Sequence, residues 1–225
     1  MDQHDTSTSQ LTFTVAGSGD QVAFAPARLV IAGLTGRDAA AVQHHVDELR
    51  EMGISVPEKV PAFWEIPVSL LSTSGHIEVD SRESSGEIEP VLLCTPDGWY
   101  VGVGSDHTAR DVERESIHKS KAACQKSLGD QVIPADTVMN SWGDMRIRSR
   151  AEGAPYQDAA MEEMILTLAD ILDAYREQFG EPETGLVMFL GTVPTVAGLN
   201  FGATFEGEIT GSGVNLTCAY RVTVA

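Results

Sequence analysis

The chain has 225 residues, 42% hydrophobic and 21% charged, enough apolar material for a sizeable core and too little charge for a disordered chain. Its 33 acidic and 15 basic residues leave a net charge of −18, which argues against a nucleic-acid partner or an anionic membrane surface, since both need clustered Lys and Arg. No run approaches the roughly eighteen apolar residues of a spanning helix, and the polar, acidic start MDQHDTSTSQ lacks both parts of a secretory signal.

A cytoplasmic protein is therefore expected, with residues 1–10 as a frayed tail and 11–225 as one domain. Cys94, Cys124 and Cys218 are widely spaced and form no CxxC pair or Cys/His zinc pattern, so each reads as a small buried apolar residue. LTFTV and QVAFA alternate with the period of a strand around a GSGD hairpin signal, and ARLVIAG follows as a third apolar segment. TGRDAAAVQHHVDELREM has a helical pattern. Thr35 and Asp38 are spaced as a capping box, Ala41, Val46, Leu49 and Met52 form the apolar face, and Gly53 is the left-handed stop. VPEKVPAFWEIP, interrupted by prolines, reads as a loop.

VSLLST and HIEVDS read as short strands, and GEIEPVLLC and GWYVGVGS as two strands joined by a Pro-Asp-Gly turn. Thr108 and Asp111 are spaced to cap a further helix. The stretch from Gln125 to Asp158 is mixed, with a short helix and the strand-like MRIRSR. AAMEEMILTLADILDAYREQF is the clearest amphipathic helix, with Met161, Ile165, Leu168, Leu172 and Tyr175 recurring every three or four residues. GLVMFLG, the turn-rich TVPTVAGLNFG, ATFEGEI and VNLTCAYRVTV close the chain as three strands and a loop. Strands outnumber helices and come in hairpin-like pairs, so the fold class is α+β on a largely antiparallel or mixed sheet.

Chemistry concentrates between Gly86 and Lys121. Glu87 and Glu89 are two residues apart, so on a strand they project from one face and repel unless a cation or water separates them. Asp106 follows at the end of the next strand. These are oxygen donors, the type that Mg²⁺, Mn²⁺ and Ca²⁺ require. A solvated strand face has the same pattern, but EPVLLC turns apolar at once and points this strand into a core. His45 and Glu48, three apart on a helix, could form a base and its orienting carboxylate, with His44 as rival; an ordinary charged helix surface reads the same way. Arg110 and Lys121 could hold an anion, with Lys119 and Lys126 competing, or could pair with the neighbouring Glu113 and Glu115. GVGSD and TVAGSGDQV lack the helix and downstream acid of a dinucleotide site.

At these residues the chain resembles the fumarylacetoacetate hydrolase superfamily, over roughly residues 40–205. HHVDELRE resembles its HxxE helix, SSGEIEPVLL its ExE strand, SDHTARDVERE its D-x-[ST]-A-R-D segment, HKSKAAC its active-site Lys segment, and FLGTVPTVAG its Gly-Thr-Pro loop. The resemblance implies a mixed β-roll with flanking helices and a divalent metal, Mg²⁺ or Mn²⁺, on Glu87, Glu89 and Asp106. It makes His45 and Glu48 the dyad that activates water, Lys121 a catalytic and substrate-binding residue, and Arg110 and Thr192 part of the substrate pocket. The implied function is C–C hydrolysis or decarboxylation of a 2-oxo acid or acylpyruvate-like carboxylate through an enolate. A hydratase, dehydratase or isomerase of related 2-oxo acids, or an organic-acid binder without catalysis, are the alternatives; a homodimer is implied. The chain departs from the pattern at Gln43-His44, at Glu65, at Glu113 and at Pro90, where an edge or a kink is expected because proline donates no ladder bond.

Overall fold

A computed structural model of the chain describes residues 10–51 and 53–225; the expected tail, apart from Gln10, and Met52 lie outside the described residues. The strands are β1 (Leu11–Val15), β2 (Gln21–Phe24), β3 (Arg28–Gly33), β4 (Ala62–Ile66), β5 (Leu71–Ser72), β6 (His76–Val79), β7 (Ser84–Ser85), β8 (Ile88–Thr95), β9 (Gly98–Ser105), β10 (Thr108–Ala109), β11 (Lys126–Pro134), β12 (Arg146–Ala151), β13 (Ala154–Ala160), β14 (Leu186–Phe189), β15 (Thr204–Gly211) and β16 (Val214–Val224). The helices are α1 (Ala39–Glu51), α2 (Arg110–Glu113), α3 (Ile117–Ala122), α4 (Ala135–Ser141), α5 (Met161–Met164) and α6 (Leu168–Phe179).

A nine-stranded mixed sheet runs β2-β1-β11-β9-β8-β14-β3-β4 with β5 beside β11, and a five-stranded sheet runs β13-β12-β15-β16-β6. The short β7 and β10 pair with each other. The apolar run PVLLC has a physical reason: all of β8 is buried. Leu92 and Cys94 join the core shared with Ile147, Phe205 and Leu216 of the second sheet, while Val91 and Leu93 pack with Phe13, Leu29 and Phe189. A strand covered on both faces reads as continuous hydrophobicity. β16 instead alternates, with Val214, Leu216, Cys218, Tyr220 and Val222 inward. All three cysteines are free and buried. The mixed sheets with flanking helices are those the sequence implied. Among the described residues no helix is long and apolar enough to cross a membrane.

Several local expectations change. AFWEI is a strand, β4, paired antiparallel to β3 with Ile31 opposite Trp64. It is the end strand of the sheet, the position where flanking prolines leave no ladder bond unmade. VSL is a 3₁₀ turn, leaving only Leu71–Ser72 as strand. Asp38, not Thr35, caps α1: its Oδ1 accepts from the N–H groups of Ala40 and Ala41 at 2.9 and 3.1 Å. Gly53 closes that helix at φ +77°, as read. Thr108 lies in β10 and donates to the carbonyl of Asp106 rather than capping α2. The amphipathic stretch from Ala159 is interrupted. Residues through Ala160 belong to β13, and α5 and α6 are separated at Ile165–Thr167. There Thr167 and Asp170 form a reciprocal capping box that starts α6. Met161, Ile165, Leu168, Leu172 and Tyr175 are nonetheless all buried.

Because Thr167 satisfies a backbone donor that α6 cannot bond internally, Thr167→Ala should cost about 1 kcal/mol. For a chain of this size a thermal melt should show the midpoint lowered by about 2–4 °C.

Candidate active site

The β8–β9 hairpin builds the site. Ile88 lies opposite Ser105, so Glu87 just before the hairpin and Asp106 just after it lie side by side, and the Asp106 N–H donates to the Glu87 carbonyl at 2.9 Å. One oxygen each from Glu87, Glu89 and Asp106 lies within 4.8 Å of the others. Glu89 and Asp106 are buried and Glu87 is partly so. Burial, then the charges of Asp106 and Glu87, push the Glu89 carboxyl well above the usual carboxylate range. Burial acts on Asp106 in the same direction, but Lys121 and Lys126 outweigh it and hold the group at about 2.

Those lysines approach Asp106 from two elements. Lys126, at the start of β11, is wholly buried and bonds the His107 carbonyl. Its Nζ also pairs with Asp106 Oδ1 at 2.9 Å. Lys121, on α3, donates to Asp106 Oδ2 and lies 4.0 Å from Glu87 Oε2. Despite burial, Asp106, Glu87 and Glu89 hold its ammonium pKa above the ordinary value. Arg110 is fully committed: Nε donates to Ser85 at 2.8 Å, Nη1 to Glu113 at 2.9 Å, and Nη2 is 2.8 Å from Glu87 Oε1. Arg110, which the resemblance puts in the substrate pocket, lines a cavity with His45, Glu87, Leu49 and Ile54. Three carboxylates that bring one oxygen each within 4.8 Å of the others, one of them destabilised by burial and its neighbours' charge, fit a hard divalent cation.

Pro90 lies in an interior strand, not at an edge. Its carbonyl accepts from Leu190 N–H at 3.1 Å, but it has no N–H to return, so the β8–β14 ladder stops at Phe189. The chain turns at Gly191 (φ +101°), and the Gly191 N–H donates to Glu89 Oε2 at 2.9 Å. A side chain at 191 would also meet Thr35 Oγ1 at 1.9 Å. Thr192 Oγ1 donates to the Ile88 carbonyl at 2.6 Å and accepts from Gln157 Nε2 at 2.7 Å.

Gln157, buried in β13, was not singled out from sequence. Besides Thr192 it donates to the Val193 carbonyl and accepts from Ile88 N–H and Ser149 Oγ. It thus ties the carboxylate strand to the 191–193 loop. His107 is a second omission. Both ring nitrogens are engaged, by Tyr220 and Ser84, each at 3.0 Å. Burial, Lys126 and Arg110 lower its pKa to about 3, and it serves as a neutral bridge under the carboxylates.

Above this floor is a cleft of about 560 Å³ reached by Glu87, Glu89, Lys121, Thr192, Trp64 and His45. Trp64 packs over Gly33, where a Cβ would meet the ring at 2.4 Å. His45 lines the cleft while its neighbour His44 does not. Glu48 Oε2 is 3.6 Å from His45 Nδ1, and Oε1 is 3.3 Å from His44 Nε2, all on the exposed face of α1. Lys119 is exposed and takes no part.

A family model described as "Protein of unknown function (DUF2848)" matches residues 32–220. The chain belongs to this family. No curated protein sequence matches. Among solved structures the chain is similar to a candidate fumarylpyruvate hydrolase from Burkholderia cenocepacia, at 19% identity over all of both chains with a TM-score of 0.65. It is similar to the fumarylpyruvate hydrolase of Pseudomonas aeruginosa in complex with Mn²⁺ and pyruvate, again at 19% over both whole chains with a TM-score of 0.62. It is similar to a 2-keto-3-deoxy-D-arabinonate dehydratase at 17% identity, over 89% of this chain and 74% of that one, with a TM-score of 0.60. The fold is thus that of the fumarylacetoacetate hydrolase-like proteins, as the sequence motifs implied.

Replacing Gln157 by Leu keeps the volume and leaves buried partners on β8, β12 and the 191–193 loop without a bond. Each such group costs about 1–3 kcal/mol. Gln157→Leu should therefore lower the unfolding free energy by about 3 kcal/mol or more, read by urea denaturation.

Proposed function

We propose that this protein is a divalent-metal-dependent enzyme that acts on a small 2-oxo acid or acylpyruvate-like carboxylate, breaking a C–C bond by hydrolysis or decarboxylation. The observation that carries the reading is the convergence of Glu87, Glu89 and Asp106 at the floor of a cleft whose wall includes His45. The P. aeruginosa relative, bound to Mn²⁺ and pyruvate, supports it.

Glu87, Glu89 and Asp106 would hold Mg²⁺ or Mn²⁺. When bound, such an ion supplies Lewis acidity that polarises a 2-oxo group and stabilises the charge of an enolate. Arg110 fixes the angle of Glu87 through its own three-way bonding, a positioning role. Lys121 lines the cleft and meets the substrate's anionic group, which is how so acidic a chain takes an acidic ligand. Thr192, its hydroxyl already bonded on both sides, acts by shaping the loop over the cleft. His45, oriented by Glu48, takes a proton from water or returns one to the carbon left by the departing fragment.

A second reading keeps the same groups for loss of water from a sugar-derived 2-oxo acid; the fold shared with a 2-keto-3-deoxy-D-arabinonate dehydratase favours it. Turnover of acylpyruvates, oxaloacetate and 2-keto-3-deoxy acids, with Mn²⁺ and with chelator, separates the two. The purified protein should take up Mn²⁺ and Asp106→Ala should not; wild type that takes up no divalent ion defeats the metal reading. His45→Ala should lower kcat by about 10²–10⁴-fold, and unchanged turnover removes His45 from the chemistry.

A further inference from the structure

Asp106 is wholly buried and faces two ammonium groups that are held very differently. Lys126 has no exposed surface and is anchored by the His107 carbonyl. Lys121 lies in the last turn of the six-residue helix α3. Its ammonium touches Asp106 Oδ2, is 4.0 Å from Glu87 Oε2 and is 5.9 Å from the centre of the Trp64 ring. Lys121 reaches the cleft; Asp106 is not part of its lining. The lysine therefore stands at the approach to the carboxylate cluster, and its charge is balanced by the oxygens that a divalent cation would use.

A divalent cation and the Lys121 ammonium both draw on Asp106 and Glu87, and like charges at such range disfavour each other. Lys126 and Arg110 are locked by backbone and hydroxyl partners and have nowhere to move. Lys121 has the open cleft beside it and an aromatic face along the way.

We propose that Lys121 is an exchangeable counter-ion: it neutralises the Glu87–Glu89–Asp106 cluster in the metal-free protein and is displaced into the cleft when a divalent cation binds. The proposal rests on the reading of the cluster as a metal site and adds an order to it. Metal binding releases the ammonium that meets the substrate's anionic group. An anion that pairs with the released lysine strengthens metal binding by the same factor, because binding couplings are reciprocal.

The test is Mn²⁺ titration of the metal-free protein by calorimetry, comparing wild type, Lys121→Met and Lys119→Met. An adjacent charge is worth one to three decades in such an equilibrium, so Lys121→Met should bind Mn²⁺ about tenfold or more tightly. Lys119→Met, which removes the same charge from an exposed position, should match wild type. Mn²⁺ bound by Lys121→Met but not by wild type would overturn the exchange, because the wild-type lysine is then not displaced by the ion. Equal or weaker binding by Lys121→Met overturns it while leaving the metal reading intact; no binding by wild type and Lys121→Met alike overturns both. Wild type supplies an arm that needs no variant. Under reductive methylation followed by mass spectrometry, labelling of Lys121 should rise several-fold on saturation with Mg²⁺, with Lys126 unlabelled throughout. Saturation that leaves Lys121 labelling unchanged overturns the proposal.

Discussion

Three carboxylates are forced together at one end of a buried hairpin, and the surrounding structure answers the repulsion this creates. Like charges a few ångströms apart in a desolvated site cannot all stay ionised without nearby cations. The chain supplies three from consecutive elements: Arg110 from α2, Lys121 from α3 and Lys126 from β11. The result is uneven. Asp106, with an ammonium on each oxygen, is held at about 2, whereas Glu89, with a single backbone donor, is pushed the other way. In a chain of net charge −18, these three cations are concentrated where the carboxylates converge.

The backbone above the cluster is fixed by what it lacks. Pro90 withholds a ladder bond, so β14 ends and the chain turns at Gly191, whose N–H serves Glu89. Gln157 then secures both sides of that turn, bonding Ile88 on one and Thr192 and Val193 on the other. A fully satisfied buried amide of this kind sets position more than it adds net stability. The departure at Pro90 is therefore part of how the second carboxylate is held.

What sequence could and could not reveal follows from how far apart the partners lie. Glu87, Glu89 and Asp106 fall within a single hairpin, and a Pro-Asp-Gly turn with apolar flanks fixes its register, so their convergence was legible. Gln157 meets Ile88 and Thr192 only through pairings with β12 and the loop after β14, and nothing in APYQD marks it. β4 was hidden because the prolines that bracket an end strand look like those of a loop. The helical stretch from Ala159 kept its apolar period across a break, since Ile165 and Leu168 are buried whether or not one helix joins them; the Thr167–Asp170 capping box was the signal for the break. Lys121 and Lys126 could not be ranked from spacing, because both reach Asp106.

The two halves of the site differ in how firmly they are built. The floor is buried, bonded at nearly every polar atom and carried by the interior of a sheet. The His45–Glu48 pair is on a helix that buries only Val46 and Leu49, and both side chains are more than half exposed. Elements with little buried apolar area open most readily, so the floor is set by folding and the His45–Glu48 pair is held less firmly. Under the proposed function, a ligand would bring an anionic group to the Lys121 side and a reacting carbon within reach of the His45 imidazole. Under that reading the floor would select the class of ligand, and the rim built from α1, Trp64 and the loop beyond Gly191 would select among its members.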